Sequence, residues 1–504
     1  MGSNKRIFKN TLFLYFRMLL ILVVSLYTSR IVLQLLGVVD YGINNVVGGL
    51  VTTMTFLTGA ISSGTSRFYA YNIGKQDSHE LNISYKLSVT CFLILAGIVL
   101  VVSETLGLWF LNTYLQIDAD RMLAANWVYQ CTVITFIVQM FVIPHQSMII
   151  AYEDMSVYAY VGIVEVILKL AVVYLLYIGN YDKLILYSIL NCVVSIGIVV
   201  FYILYCHKKY EVCRYSFYYN KEKLKKFLSY SLWIIFGALS GIFKDQGINI
   251  LLNLFFGPAV NAARGIAFQV NRAVIQFVNN FYMAVRPQIT KRYASGNYDG
   301  MYDLVFVSSR MCFYLILLLT LPIIIQAPFI LQLWLHEVPE HTVLFTRLVL
   351  VLSIIQSIAY PLDTSVTSTG RIKYFQLFTG GLIILNLPVS YIVLKNGNSP
   401  ESTMYVMIAI ALVAHLLRMY FSNKEAKVPM GKYVREVLFN MLYVSVSIAM
   451  PILIVYVFWK VNNLMDLLLF TLVTVLWMLL VFYMIGMNKR ERDMVVEMVI
   501  KKLK

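Results

Sequence analysis

Apolar residues fall in runs of roughly twenty or more, separated by short polar breaks. A helix needs about that length to cross ~30 Å of hydrocarbon. The pattern predicts fourteen helical spans, at about 11–37, 42–71, 84–112, 121–149, 154–178, 183–206, 224–255, 258–286, 303–334, 341–369, 373–395, 402–421, 437–459 and 464–486. The connections at 38–41 and 256–257 are short enough to predict tight hairpins. The basic start, MGSNKRIFKN, precedes an apolar run in the manner of a signal peptide. The run to residue 37 is too long for a signal core and lacks a small-residue cleavage site, so it is expected to stay as the first span.

Composition agrees with a membrane domain. Of 504 residues, 60% are hydrophobic and 13% charged, against about 45–50% and about 25% in soluble domains. The net charge of +16 does not call for nucleic acid. Lys and Arg collect in alternate connections: Lys75, the stretch 207–226, 290–293, 370–373 and 424–435. The intervening connections at 38–42, 117–120, 180–183, 336–341 and 396–401 are short and acidic or neutral. This positive-inside alternation predicts an even number of spans with both termini cytoplasmic. The six cysteines show no C-x-x-C spacing and read as small hydrophobes, with no disulfide framework and no metal site. No cofactor is expected.

One span breaks the apolar pattern. Residues 255–289, FFGPAVNAARGIAFQVNRAVIQFVNNFYMAVRPQI, carry three arginines and several amides. On a helix Asn261, Arg264, Arg272, Gln276 and Asn279 fall on one side, with Ile266, Val270, Val274, Phe277 and Phe281 opposite. An arginine facing lipid costs about 2.5–3.5 kcal/mol on insertion scales. The stripe is therefore expected to face protein or a watery cleft. The second span adds Asn44, Asn45 and several Thr and Ser, and the first adds Arg30 and Gln34. Arg67 and Arg286 are expected to snorkel to the inner interface.

Other charges lie within spans. Lys244 and Asp245 sit in the seventh, and Asp245 is a candidate to pair with a cavity arginine or to bind a coupling cation. Glu165 and Lys169 share one face of the fifth. They read as a self-neutralised pair or, more sharply, as a proton or sodium relay. Asp363 lies close to an inner boundary and reads as structural, and His145 and His415 as packed, hydrogen-bonded histidines. The tail NKRERDMVVEMVIKKLK reads as a cytoplasmic amphipathic helix. No Walker A, H-E-x-x-H or G-x-S-x-G motif with its context is present, and the D-x-D at 118–120 sits in a very short turn. The protein is not expected to be an enzyme.

The chain also repeats itself. LLGVVDYGINNVVGG (35–49) opens the second span and FFGPAVNAARGIAFQ (255–269) the eighth. Their far ends, RFYAYNIGKQD (67–77) and KRYASGNYD (291–299), match with a gap. Placing span two on span eight predicts two six-helix lobes related by a pseudo-two-fold along the membrane normal, plus two added helices. The boundaries so predicted are an N-lobe at 1–206, a cytoplasmic linker at 207–223, a C-lobe at 224–421, two further spans at 422–487 and the tail at 488–504.

TSRIVLQLLGVVDYGINNVVGGLV (28–51), NLFFGPAVNAARGIAFQV (253–270) and RPQITKRYASGNY (286–298) resemble the polysaccharide-transporter branch of the multidrug/oligosaccharidyl-lipid/polysaccharide (MOP) flippase superfamily, whose fold is MATE-like. Wzx-type O-antigen and capsule repeat-unit flippases are the nearest in kind. The resemblance implies that undecaprenyl-pyrophosphate-linked oligosaccharides are moved from the cytoplasmic to the periplasmic leaflet of the bacterial inner membrane by alternating access, with H+ or Na+ as candidate coupling ions. Arginine suits pyrophosphate, because its planar fork matches phosphate oxygens. With that cargo, Arg30, Arg264 and Arg272 are the candidate anion-binding set. Asn261, Gln276, Asn279, Asn44 and Asn45 are the candidate sugar contacts, and membrane lipids the remaining partners. The rival reading is a cation-coupled multidrug antiporter of the same superfamily, which would hold cations on cavity carboxylates.

Overall fold

The computed structural model describes residues 3–52, 55–114, 117–178, 181–218, 220–335, 337–459, 461–489 and 491–493. Among them every regular element is a helix. In chain order the α-helices are α1 (Ser3–Thr52), α2 (Thr55–Gly74), α3 (Ser78–Val102), α4 (Leu108–Tyr114), α5 (Met122–Ala151), α6 (Met155–Leu175), α7 (Lys183–Lys209), α8 (Lys221–Phe256) and α9 (Pro258–Ala294). The second half continues with α10 (Tyr298–Ile325), α11 (Ala327–Leu335), α12 (Thr342–Thr369), α13 (Lys373–Ile384), α14 (Asn386–Lys395), α15 (Ser402–Ala426), α16 (Met430–Tyr433), α17 (Phe439–Phe458) and α18 (Leu464–Val481). Most of the predicted amphipathic tail, from residue 494 on, lies outside the described residues.

Eleven of the described helical stretches are long and apolar enough to cross a membrane. The predicted first, second and eighth spans fall outside that set. Of these the eighth carries the polar stripe, while the first contains a shorter apolar stretch at Asn10–Ser25.

The chain divides into two compact units, 1–235 with 290–296, and 236–289 with 297–504. The division falls inside α8 and again near the end of α9. In the first unit the core gathers Phe92, Val128, Val133 and Met140, and α5 packs extensively on α7. In the second unit the core gathers Ile316, Phe345, Val349 and Val278, and α12 packs on α15 and α10. Gly486 lies against the Tyr314 ring, and the buried Arg310 guanidinium donates to Glu491, so the last helices are fastened to α10.

The repeat is visible in the backbone. Gly37 (φ 77°) breaks the helix within α1, and Gly257 (φ 82°) separates α8 from α9. Both have positive φ, and Gly37, with ψ 172°, lies in a region essentially reserved for glycine. The expected loop at 38–41 is absent: the helix resumes directly after Gly37, because one positive-φ residue suffices to turn the chain. The expected gap at the far end is also unnecessary. Gln76 (φ 57°) and Asp77 stand where Gly296 (φ 76°) and Asn297 stand, at the same interval as Gly37 and Gly257. Asp77 accepts from the Glu80 amide and Asn297 from the Gly300 amide, each opening the following helix. The matching Tyr-Ala pairs had pointed to Asp299; the capping geometry selects Asn297.

Arg67 departs from its expected place at the interface. It is buried, with its guanidinium 4.9 Å from the Phe68 ring, 4.8 Å from Tyr71 and 5.4 Å from Tyr230. Aromatic faces attract a planar cation. His145 is packed as expected, 3.0 Å from Tyr85 Oη and 2.7 Å from the Phe141 carbonyl. His415 is not: neither ring nitrogen has a hydrogen-bond partner among the described residues.

Candidate functional site

The polar helix is α9. Pro258 opens it, where a missing N–H costs nothing and φ is already helical. The side the sequence reads as one polar stripe splits in two. Arg272, Gln276 and Asn279 are exposed, together with Gln269 and the small residues Ala262, Gly265 and Ala273. Elsewhere the protein surface is studded with exposed Leu, Ile, Val and Phe, yet none of the described residues from 257 to 297 is an exposed large hydrophobic. A surface of amides, an arginine and small residues is a poor match for acyl chains.

Arg264 does not share that exposed face. It is 3% exposed and turned into its own unit, which corrects the single-stripe expectation. Its Nη1 donates to Asn249 Oδ1. Its Nη2 lies 3.7 Å from Asp245 Oδ1, and the guanidinium stacks 4.2 Å from the Phe268 ring. Nε and Nη2 have no hydrogen-bond partner among the described residues. The reason is angular: position 264 lies at the margin of the stripe, beside the packed Val260, Ala263 and Ala267. Asn261 is half-buried and donates to the Asn249 carbonyl at 2.9 Å. Lys244 Nζ reaches Asp245 at 3.1 Å, while the Asp245 side chain stays 44% exposed. Arg30 and Asn45 lie on α1 with side chains outside the described ones; Asn44 is half-buried.

Each unit also holds a cavity among its own helices. The first, of ≈ 240 Å³, is lined by Phe136, Gln139, Ile143, Gln146, Glu165 and Ser195 among others. Glu165 is met by Lys169 at 2.7 Å. The second, of ≈ 160 Å³, is lined by Lys244, Gln356, Tyr360, Asp363, Asn386 and Arg418 among others. There Arg418 Nε donates to Asp363 at 2.9 Å. The two cavities occupy equivalent places. Phe136, Gln139, Met140 and Ile143 line the first at the spacing at which Gln356, Ala359, Tyr360 and Asp363 line the second. Ser195 and Val199 likewise correspond to Ala414 and Arg418.

The ends of the same helices carry matching ion pairs. Arg121, the residue before α5, bonds Asp182, the N-cap of α7, at 2.6 Å and Asp40 at 2.5 Å. His341, the residue before α12, bonds Glu401, the residue before α15. Burial works to raise the Asp182 carboxyl, but bonds from Arg121 and from the Ile185 and Leu184 amides outweigh it and leave it below the usual carboxylate range. Burial also raises Glu401, and its own amide, His341 and Ser399 bring it below that range. The sequence reading missed the Asp363–Arg418 pair, Gln356, Asn386 and the Arg121 cluster. Asp363 and Arg418 are 55 residues apart, and no local pattern joins them.

This architecture is that of the MATE-type transporters of the MOP superfamily. The chain is similar to an outward-facing multidrug resistance MATE family transporter of that superfamily, with TM-score 0.73, 13% identity, and 85% of this chain and 96% of that one covered. It is similar to a MATE in the bent conformation, with TM-score 0.71, 14% identity, and 86% and 98% covered. It is also similar to a MOP superfamily transporter from Pyrococcus furiosus, with TM-score 0.67, 12% identity, and 86% and 96% covered. At such identities the comparison establishes the fold. No protein-family profile and no curated protein matches the sequence.

Proposed function

We propose that the protein is a flippase for lipid-linked oligosaccharides, moving pyrophosphate-linked polysaccharide repeat units across the bacterial inner membrane by alternating access, with both termini cytoplasmic and H+ or Na+ as the candidate coupling ion. The observation that carries this reading is α9. A transmembrane-length helix exposes Arg272, Gln276 and Asn279 with no exposed large hydrophobic among its described residues. Arg272 offers a guanidinium to pyrophosphate, and the amides offer donors and acceptors to sugar hydroxyls. Arg264, whose Nε and Nη2 lack a hydrogen-bond partner among the described residues and whose charge is only partly answered by Asp245 at 3.7 Å, is a reserve of positive charge behind that face. The MOP transporter from Pyrococcus furiosus is described as having a binding pocket of reverse polarity that suggests a different function. That description is in line with a cargo other than a multidrug substrate on this fold.

A second reading rests on Asp245, whose half-exposed carboxylate could hold a cation. It makes the protein a cation-coupled multidrug antiporter, in line with the multidrug transporter of the same fold. Two assays separate the readings. In proteoliposomes, a fluorescent lipid-pyrophosphate oligosaccharide is flipped by the wild type, and Arg272→Ala lowers the rate about tenfold, the loss of one charge-assisted contact of ~1.4 kcal/mol or more. Extrusion of cationic dye abolished by Asp245→Asn, with no flipping, selects the antiporter.

A further inference from the structure

We propose that the cavity of the second unit is a subsite for a sugar acid, with the carboxylate held by Lys244 and Arg418 and the ring hydroxyls by Asn386 and Gln356. This rests on the flippase reading for its physiological source, an acidic residue of the transported glycan, but the binding is testable without transport.

The walls carry unspent hydrogen-bonding capacity. Arg418 uses only Nε, on Asp363, leaving Nη1 and Nη2 without a partner among the described residues. Gln356 makes no side-chain hydrogen bond among them. Asn386 is 2% exposed; its Nδ2 donates to the Ile383 carbonyl, and its Oδ1 has no partner. Of these, Asn386 Oδ1 is a buried polar atom without a partner among the described residues, uncommon in a native protein and a mark of a missing ligand or water. The set combines cationic donors with a neutral acceptor. A halide or simple carboxylate would leave the acceptor idle, and a neutral sugar would leave the cations idle. A carboxylate with neighbouring hydroxyls answers both.

Charge balance points the same way. Among the described ion pairs, Lys244 and Arg264 share the one Asp245 carboxylate, while Arg418 meets Asp363. Two cationic side chains already line the cavity, so a metal ion is disfavoured there. An uncompensated buried charge is costly, and a bound anion removes the excess. The volume, ≈ 160 Å³, suits one ring and not an oligosaccharide.

The test is isothermal titration of the purified protein in lipid nanodiscs with sodium glucuronate, glucose and sodium acetate at constant ionic strength. Glucuronate should bind at least tenfold more tightly than glucose or acetate. Lys244→Gln and Asn386→Leu should each weaken it about tenfold, and Arg371→Gln, an exposed residue, should not. Arg418→Gln strands Asp363, so the double variant Asp363→Asn/Arg418→Gln replaces it and should also lose the preference for glucuronate over glucose. Equal binding of glucose or acetate, no binding by the wild type, or unchanged affinity in both Lys244→Gln and Asn386→Leu overturns the subsite. Flipping with no glucuronate binding removes the subsite and leaves the flippase; glucuronate binding with no flipping supports the subsite and removes the flippase.

Discussion

The two units enclose cavities at equivalent positions of one repeat, and they differ in charge where they are most alike in geometry. Ile143 and Val199 line the first where Asp363 and Arg418 line the second. The helices around each are the same in order and packing, α5 with α7 and α12 with α15. An ion pair in a protein interior is often no better for stability than well-packed apolar residues. The first unit shows that this architecture manages with Ile and Val at those places. That contrast supports the proposed binding role for Asp363 and Arg418 over a role in stability.

The comparison can be broken by moving one unit's residues into the other. The largest effect should come from Arg418→Val alone, which strands the Asp363 carboxylate, 32% exposed, and should cost about 1–3 kcal/mol. Restoring the first unit's pair with Asp363→Ile/Arg418→Val should recover most of that loss, and thermal unfolding in detergent measures both. A double variant as unstable as the single would mean that the two cavities are not equivalent. Next come the two turn glycines. Gly37→Ala and Gly257→Ala have open space for a methyl group, so only the positive-φ backbone is strained. Each should cost ~1–3 kcal/mol, and a loss at both positions would sharpen the repeat. Glu165→Gln should matter least, at about 0–1 kcal/mol, because its pair with Lys169 is partly exposed.

The outer ion pairs sharpen the comparison through pH. Asp182 and Glu401 are both held below the usual range, so each contributes stability above pH ~4 that is lost as pH falls through its folded value. Arg121→Gln should remove the first unit's share of this acid dependence and leave the second's, read as a shallower fall of melting temperature between pH 5 and 3. An unchanged slope would mean that Arg121 is not what holds Asp182 down.

Much of the architecture was legible in the sequence, because run length, loop charge and turn glycines are local signals. The LLG and FFG openings identified the repeat, and Gly37 and Gly257 carry the dihedrals that give those motifs their meaning. The far-end alignment went astray at Tyr-Ala because capping depends on backbone position and not on residue identity. The site was legible in part. The helical wheel placed Arg272, Gln276 and Asn279 together, but it could not decide that Arg264, one step around, packs inward on Asn249 and Asp245. Pairs such as Arg418 with Asp363, or Arg121 with Asp40 and Asp182, depend on which helices are neighbours, and a single sequence does not carry that information.

The central claim is that the exposed face of α9 borders water and meets an anionic headgroup. A single cysteine at Gln276→Cys tests it most directly, since the native cysteines are all free and buried. Rapid reaction with a charged, membrane-impermeant thiol reagent is expected, slowed by saturating lipid-pyrophosphate oligosaccharide. Reaction only with a lipid-soluble maleimide, unaffected by that lipid, would place this face against acyl chains and rule out a wet, headgroup-binding surface.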